Sequence, residues 1–247
     1  YLSGQCGMDF VSGMAIYYVD EVLNGYSKGY LTMLMGVLLV SQLLGMLVFG
    51  PIMTKTSKKA TILIGAPIRI VCTLGLLAFS YEGAPIAPIL ALSAGVGIGN
   101  AATLTSIFAI LADMADVDEL ITSVSRPGIV SGMATFARKI SAGLSAWVIG
   151  ILISFAGYDA GIAKAGLRQS LHTQNGIAMI FIFLPVILVT LLLIFGYMFP
   201  ITKKEFELVH KEIARRKGED DSVATEEEKK VLKRVTGIEY EQLWGNK

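Results

Sequence analysis

The sequence predicts an all-α membrane protein with six transmembrane helices. Of the 247 residues, 53% are hydrophobic and only 17% are charged, whereas soluble domains carry about 25% charged residues. Four long apolar segments contain almost no charged residues. Residues 29–54, 83–112 and 140–158 contain no Asp, Glu, Lys, Arg or His, and residues 169–202 contain only His172. Apolar runs of this length are typical of helices that cross a bilayer.

Turns and charged residues divide the apolar sequence into six spans. The predicted spans are residues 2–23, 30–53, 60–81, 86–111, 127–155 and 174–199. The basic turn TKTSKK separates the second span from the third. An acid-rich turn is predicted to end the fourth span at about residue 111, and Arg126 with Pro127 opens the fifth. The acids of that turn are Asp113, Asp116, Asp118 and Glu119.

The six spans give a predicted division into two parts. Residues 1–200 would form a six-helix transmembrane bundle, and residues 201–247 a cytoplasmic tail with amphipathic helices. Lys and Arg concentrate in short cytoplasmic loops. One set of span ends holds Lys55, Lys58, Lys59, Arg126, Lys203 and Lys204, whereas the other holds Lys28, Lys164 and Arg168. This asymmetry predicts that both ends of the segment face the cytoplasm of a multi-pass cell-membrane protein.

The tail has the pattern of two amphipathic helices. The first would place Phe206, Val209 and Ile213 on one apolar stripe. The second would begin at Thr225, with Glu228 three residues later as the partner in a capping box. We interpret the tail as a plain cytoplasmic extension rather than a binding module.

The composition argues against enzymes, cofactors and nucleic acid. Cys6 and Cys72 lie in apolar segments, and His172 lies far in sequence from His210, so no metal-ligand spacing is present. There is also no nucleophile triad and no phosphate-binding glycine loop. The net charge of +1 does not favour nucleic acid. Because the chain starts at Tyr1 rather than Met, we expect a piece of a longer protein.

The fifth span carries two cations inside an apolar helix. Lys139 lies about 18 Å from the start of that helix, near the middle of a bilayer about 30 Å thick. Helical spacing places Lys139 on a face of small residues, next to the face of Arg138, so both are predicted to point inward. Arg138 would serve a structural ion pair or a functional one. Lys139 would contact substrate, act in coupling, or form a buried pair with an acid such as Asp9.

Other spans hold isolated polar groups with more than one interpretation. Asp9 in the first span could bind a cation, take up a proton or pair with a lysine. Tyr17 could stack on a sugar ring or belong to an interfacial aromatic belt. Gln42 and Asn100 could hydrogen-bond a sugar or join helices. Arg69 could snorkel to the cytoplasmic surface.

Several segments together resemble the glycoside–pentoside–hexuronide:cation symporters, the group that includes melibiose permease, within the major facilitator superfamily. ADMADVDE followed by RPGI (126–129) is similar to that family's acidic segment after its tenth helix, with Val117 in place of a tyrosine. FARK (136–139) is similar to its eleventh-helix segment. Residues 197–216 resemble its exit from helix twelve. Residues 50–59 resemble a degraded form of the superfamily's G-x-x-x-D-R-x-G-R-K turn.

The resemblance implies a fold and a function. The chain would be the C-terminal half, helices 7–12, of a twelve-helix transporter for a sugar or glycoside, driven by Na⁺ or H⁺. Its partners would be the N-terminal six-helix half, which would hold most of the cation site, and the lipid bilayer. The resemblance implies a functional role for Lys139. The polar groups identified within the spans are the further candidates for binding or coupling, and they do not depend on a motif match: Asp9, Arg138, Asn100, Tyr17 and Gln42. A cytoplasmic gate would use Asp113, Asp116, Glu119, Arg126 and Lys55.

Two alternatives stay open at this point. One keeps the fold and makes the protein an exporter or a lipid or drug transporter, which wide apolar cavity walls would favour. The other belongs to a different class, a stand-alone six-span scaffold or receptor.

Overall fold

The computed structural model describes residues 1–25, 29–198 and 203–245, and these residues form helices joined by short turns. The helices are α1 (Leu2–Tyr17), α2 (Tyr30–Lys55), α3 (Lys58–Gly75), α4 (Ile86–Thr122), α5 (Pro127–Phe155), α6 (Ala160–Lys164), α7 (Leu171–Met198), α8 (Lys203–Lys217) and α9 (Glu226–Thr236). Lys28, the end of the predicted sixth span and the predicted boundary between bundle and tail lie outside the described residues.

Five helices of the described chain, α2, α3, α4, α5 and α7, are long and apolar enough to cross a membrane. The first predicted span is also helical, but its α-helix has only 16 residues and continues as a π-helical turn, Tyr18–Val22. That segment packs between α5 and α7. It therefore belongs to the bundle, and the all-α membrane fold is confirmed.

The prediction that an acid-rich turn ends the fourth span at about residue 111 is wrong, because α4 continues as a helix through Thr122. Its 37 residues extend over about 55 Å, well beyond a hydrocarbon core of about 30 Å. Residues 112–122 contain no Gly or Pro and are rich in helix-forming residues. The break comes instead at Ser123, whose φ of +60° is left-handed. Pro127 then occupies the first turn of α5, where its missing N–H costs nothing.

Helix α4 lies at the centre of the packing and contacts both α2 and α3 closely. The approach to α3 depends on Gly99, where an added Cβ would lie 2.7 Å from the Gly65 carbonyl oxygen and 2.8 Å from the Arg69 nitrogen. Small residues allow such close backbone approach in membranes, where lipid supplies little drive for helix association. On the other side of the bundle, α7 packs on α1 and α3.

Helix α5 lies at the edge of the bundle. Only four of its residues, Ser141, Ser145, Ile149 and Ile153, are buried within the chain, and they face α1. The remaining faces of α5 are exposed, including the large apolar side chains of Met133, Phe136 and Trp147. Exposed apolar side chains of this size on a span match contact with lipid or with another part of a membrane protein.

The tail folds against the end of α4. A second hydrophobic cluster joins Val117 and Leu120 of α4 to tail residues Val209, Ile213, Leu232 and Leu243. The predicted capping box is confirmed, since Thr225 and Glu228 exchange both hydrogen bonds at the start of α9. Trp244 N donates to the Leu120 carbonyl at 2.9 Å, which satisfies an acceptor that the end of α4 leaves open.

Candidate functional site

Two polar clusters lie inside the bundle. The first, which we name the Asp9 cluster, joins α1 to α5 and consists of Gln5, Cys6, Asp9, Arg138 and Ser141. Arg138 Nη1 lies 3.4 Å from Asp9 Oδ1, and Ser141 Oγ donates to Asp9 Oδ2 at 3.2 Å. The Asp9 side chain is only 16% exposed, whereas that of Arg138 is 43% exposed. The carboxylate is thus held by one cation and one hydroxyl, and the cation remains accessible.

The remaining members of the Asp9 cluster surround that ion pair. Cys6 Sγ lies 3.0 Å from Ser141 Oγ. The Gln5 carboxamide, with its oxygen towards the guanidinium, accepts from Arg138 Nε at 3.2 Å. Gln5 was not predicted as a site residue, although helical spacing places it one turn before Asp9 on the same face.

The second cluster, the Arg69 chain, links all of the first four helices. Arg69 Nη1 donates to Asn100 Oδ1 at 2.9 Å. Asn100 Nδ2 in turn donates to Gln42 Oε1 at 2.9 Å and lies 3.2 Å from Met8 Sδ. The predicted site residues Asn100 and Gln42 are therefore brought together, and each of them joins helices in this arrangement.

Arg69 does not snorkel to the membrane surface. Its side chain is 2% exposed, and its Nε has no hydrogen-bond partner among the described residues. No carboxylate of the described chain forms an ion pair with it. A buried guanidinium held by amides alone keeps its charge uncompensated within this part of the protein. Sequence reasoning missed this role because a single cation in an apolar run is equally compatible with snorkelling.

Lys139 lies apart from both clusters. It is exposed on α5, and no hydrogen bond or ion pair joins it to another described residue. Lys139 is thus not packed against another described helix, and its predicted orientation towards a cavity stays a prediction. The alternative of a buried pair with Asp9 is not found, because Arg138 occupies that position. The small residues on its face are exposed as well, and an added Cβ at Gly132 or Gly143 would meet no atom within 4 Å.

Tyr17 lies at the opposite end of α1 from the chain start and is half-buried. Its ring meets that of Tyr158 edge-on, with centroids 5.4 Å apart. Its neighbour Tyr18 is fully buried and stacks on Phe181 at 4.2 Å. Tyr17 is not brought close to the Asp9 cluster.

Four of the five predicted gate residues have charged or histidine partners, each in a separate pair. Asp113 pairs with Lys58 at the start of α3. Arg126 binds Asp118 through two hydrogen bonds, of 2.9 and 3.1 Å. Lys55 is exposed, and it has no ion pair with a described carboxylate. The predicted membership of Lys55 in this network is therefore not found, and Lys58, three residues further on, takes the place expected for it.

Two further contacts, one with a histidine and one ion pair, connect α4 to the tail. Asp116 lies 3.4 Å from His210 Nε2, and Glu119 lies 2.6 Å from Lys217 Nζ. The bond to Glu119 raises the pKa of the Lys217 ammonium. Sequence reasoning missed both partners because they follow α4 by about 90 residues and no local spacing links them.

The described residues offer no metal centre. No three His, Cys, Asp or Glu side chains come together in residues 1–25, 29–198 and 203–245.

A family model described as MFS/sugar transport protein matches residues 1–203. The chain belongs to this family. The match includes the whole bundle with both polar clusters, and it ends where the tail begins. The family resemblance expected from the sequence is confirmed, and the matched family is one of sugar transport proteins.

Curated relatives agree with the family. The chain is 27% identical over 212 residues to the "Glucuronide carrier protein homolog" of Escherichia coli, an alignment that covers 84% of this chain and 44% of the relative. It is 30% identical over 224 residues to the "Putative sulfoquinovose importer" of the same organism, covering 86% of this chain and 43% of the relative. The chain thus spans less than half the length of these relatives.

Proposed function

We propose that this chain is the C-terminal half of a secondary active transporter that carries a sugar or glycoside together with Na⁺ or H⁺. Membership of a sugar transport family supports the cargo. The observation that carries the proposal is the Asp9–Arg138 ion pair between α1 and α5. Charges inside a membrane bundle are costly and usually mark a substrate or ion pathway.

In this proposal the N-terminal six-helix half packs against the open side of α5. Lys139 would then face the central cavity, and the small residues beside it would leave room for a hydrophilic solute. The Asp9–Arg138 pair would break and re-form as the two halves alternate between inward-open and outward-open states. Most of the coupling-cation site would lie in the other half.

The charges at the end of α4 would hold one of those states. The pairs Lys58–Asp113 and Arg126–Asp118 both attach α4 to the neighbouring helices α3 and α5 at one membrane surface, which we propose to be the cytoplasmic one. Opening of the cavity on that side would require these partly exposed pairs, in which Asp113 is buried, to exchange partners or separate.

The cargo proposed is a sugar with an acidic group. The described spans hold three cations, Arg69, Arg138 and Lys139, and of these only Arg138 is paired with a carboxylate, that of Asp9, so positive charge is in excess within the bundle. Both relatives are named for acidic sugars, a glucuronide and sulfoquinovose. A carboxylate or sulfonate on the sugar would compensate part of that excess.

Uptake by the full-length protein tests the proposal. We expect Lys139→Ala to lower sugar uptake about tenfold or more, with partial recovery in Lys139→Arg because the charge returns. Lys164→Ala, which removes an exposed lysine from the connection before α7, is the matched control and should keep wild-type uptake. Imposed Na⁺ and pH gradients identify the coupling ion. Unchanged uptake and unchanged coupling in Lys139→Ala would contradict the role of Lys139.

The alternative with the same fold is an exporter or a lipid or drug transporter, which would need wide apolar cavity walls. The faces of α5 that carry small and polar residues do not favour it. A binding assay with acidic sugars, neutral sugars and hydrophobic compounds discriminates between them. No observation favours a scaffold or receptor, because the matched family is one of transporters.

A further inference from the structure

We propose that the turn between α2 and α3 binds the headgroup of an anionic phospholipid. The site consists of four lysines, Lys55, Lys59, Lys203 and Lys204, which we name the lysine patch. The proposal depends on the membrane-spanning fold and not on the proposed sugar cargo.

Contacts between three elements bring the lysine patch together. Lys203 Nζ donates to the Thr54 carbonyl at 3.1 Å, which places the start of α8 at the end of α2. Lys59 Nζ lies 5.0 Å from the centre of the Tyr197 ring, which places the start of α3 beside the end of α7. Lys204 is adjacent to Lys203 and exposed, as is Lys55, the last residue of α2.

The lysine patch lies where a lipid-facing surface ends. Leu44, Val48, Pro51 and Lys55 succeed one another at helical spacing on α2, and Leu44 and Val48 are each 58% exposed. On α7 the exposed side chain of Tyr197 follows those of Ile194 and Phe195. A tyrosine and cations at the end of an apolar stripe are typical of the headgroup level of a membrane.

Nearby acids are already engaged elsewhere or too few to neutralise the patch. Asp113 pairs with Lys58, and Glu205 is buried and pairs with Arg234. Among the residues that the structure describes, no carboxylate forms an ion pair with Lys55, Lys203 or Lys204. Glu207, one turn along α8 from Lys203, leaves a net charge of +2 for Lys55, Lys203, Lys204 and this acid.

A phosphodiester at this position would meet Lys55, Lys203 and Lys204, which form no ion pair with a described carboxylate. Ammonium groups near an anionic membrane surface each contribute about 1 kcal/mol to binding, and lysines donate hydrogen bonds to phosphate oxygens. The acyl chains of the same lipid would lie against the exposed leucines and valines of α2. A soluble phosphate would gain the first contact but not the second, so the geometry favours a lipid.

The test measures thermal stabilisation of the full-length protein in detergent during titration with phosphatidylglycerol or phosphatidylcholine. We expect stabilisation by phosphatidylglycerol at much lower concentration than by phosphatidylcholine. The double variant Lys55→Gln/Lys204→Gln should raise the concentration needed about twenty-five-fold, which is about fivefold for each lysine. Neither lysine has an ion pair with a described carboxylate, so the variant should fold normally.

The double variant Lys164→Gln/Lys230→Gln is the matched control, because it removes two exposed lysines elsewhere. It should change the phosphatidylglycerol titration less than twofold. An equal loss in both double variants would show diffuse attraction and overturn the site. Equal stabilisation of the wild type by the two lipids would overturn it as well. Stabilisation by glycerol phosphate in solution, at similar concentration, would replace the lipid by a soluble phosphate and contradict the proposal.

Discussion

Two arginines of the bundle illustrate different ways of keeping a guanidinium among apolar helices. Arg138 has a carboxylate partner, Asp9, and is 43% exposed. Arg69 has only amide partners and is 2% exposed. A paired, accessible cation can exchange partners at small cost in free energy. A buried cation without a carboxylate partner depends on its hydrogen bonds to neutral groups, and the loss of one of them is costly. Asn100 is the residue on which Arg69 depends most directly.

Replacement of Asn100 should therefore cost more stability than replacement of Gln42. Asn100→Leu leaves both Arg69 Nη1 and Gln42 Oε1 without these partners, whereas Gln42→Leu leaves Asn100 Nδ2 with only the Met8 sulfur, 3.2 Å away. Each stranded buried group costs about 1–3 kcal/mol, and more if it is charged. We expect losses of about 2–4 kcal/mol for Asn100→Leu and about 1–2 kcal/mol for Gln42→Leu. Thermal unfolding of the full-length protein measures both, with the exposed Thr190→Val as control; equal losses would contradict the chain of dependence.

At the scale of elements, α4 determines how its neighbours are arranged. It packs on α2 and α3 along its apolar length and on α8 at its far end. The glycines of its GVGIGN segment permit this, because helix backbones that approach so closely leave no space for a side chain. The same helix carries acids where it leaves the bundle, so that one element serves as both a packing centre and a base for ion pairs.

The α3–α4 crossing should be sensitive to a single methyl group. At Gly99 an added Cβ would meet backbone atoms of α3, which cannot move aside as a side chain can. We expect Gly99→Ala to lower the free energy of unfolding by about 1–3 kcal/mol. Gly36→Ala on α2 is the matched control, since its Cβ would meet no atom within 4 Å. There the better helix propensity of alanine should leave stability unchanged or slightly higher; a similar loss at both positions would refute the argument.

The spans were predictable because their signal is local. The structure contains the long helices that the charge-free runs predict. It also has Pro127 in the first turn of α5 and the capping box at Thr225, and each of these signals acts within a few residues. The prediction of an acid-rich turn is wrong because a run of acids does not by itself end a helix, and nothing between Ala112 and Thr122 interrupts helical hydrogen bonding. Charge alone does not end a helix that can project into water.

The site was predictable only in part because its partners are distant in sequence. Asp9, Arg138, Asn100 and Gln42 were identified as isolated polar groups within apolar spans. Their pairing required the packing of α1 against α5 and of α4 against α2, which no spacing rule supplies. For Lys139, helical periodicity gave a face of small residues but not what that face contacts.

For the whole molecule, the described residues contain two hydrophobic cores that share α4. The larger core lies within the bundle, and the smaller one joins α4 to α8, α9 and the end of the chain. Buried Glu212 stabilises the smaller core from inside, since it accepts from Tyr240 Oη at 2.7 Å and pairs with Arg215 and Arg216 at 3.2 and 2.9 Å. The tail is thus a packed unit rather than a loose extension.

Acid should loosen the tail through Glu228. The Thr225 backbone N–H, followed by Arg215, lowers the pKa of Glu228 from 4.5 to about 2. A carboxyl group with a lowered pKa in the folded state stabilises it above its unfolded pKa, and that contribution is lost as the pH falls. We therefore expect tail stability to decrease between pH 4.5 and 2.

A fluorophore on Val223→Cys, a position that is 87% exposed, reports tail motion through its anisotropy. Glu228→Gln keeps a hydrogen-bond acceptor for Thr225 but cannot titrate, so its anisotropy should depend less on pH over this interval. A wild-type profile that is flat between pH 4.5 and 2, or one that Glu228→Gln does not alter, would contradict the assignment.

The uninterrupted helix α4 connects the interior of the bundle rigidly to the tail. From Asn100 in the bundle to Leu120 under the tail, 20 residues of continuous helix form an arm of about 30 Å. If the arm tilts by about 10° during transport, its outer end is displaced by about 5 Å, and the tail attached there moves with it. A fluorophore on the tail would then report this tilt of α4, although no residue inside the membrane bundle is modified.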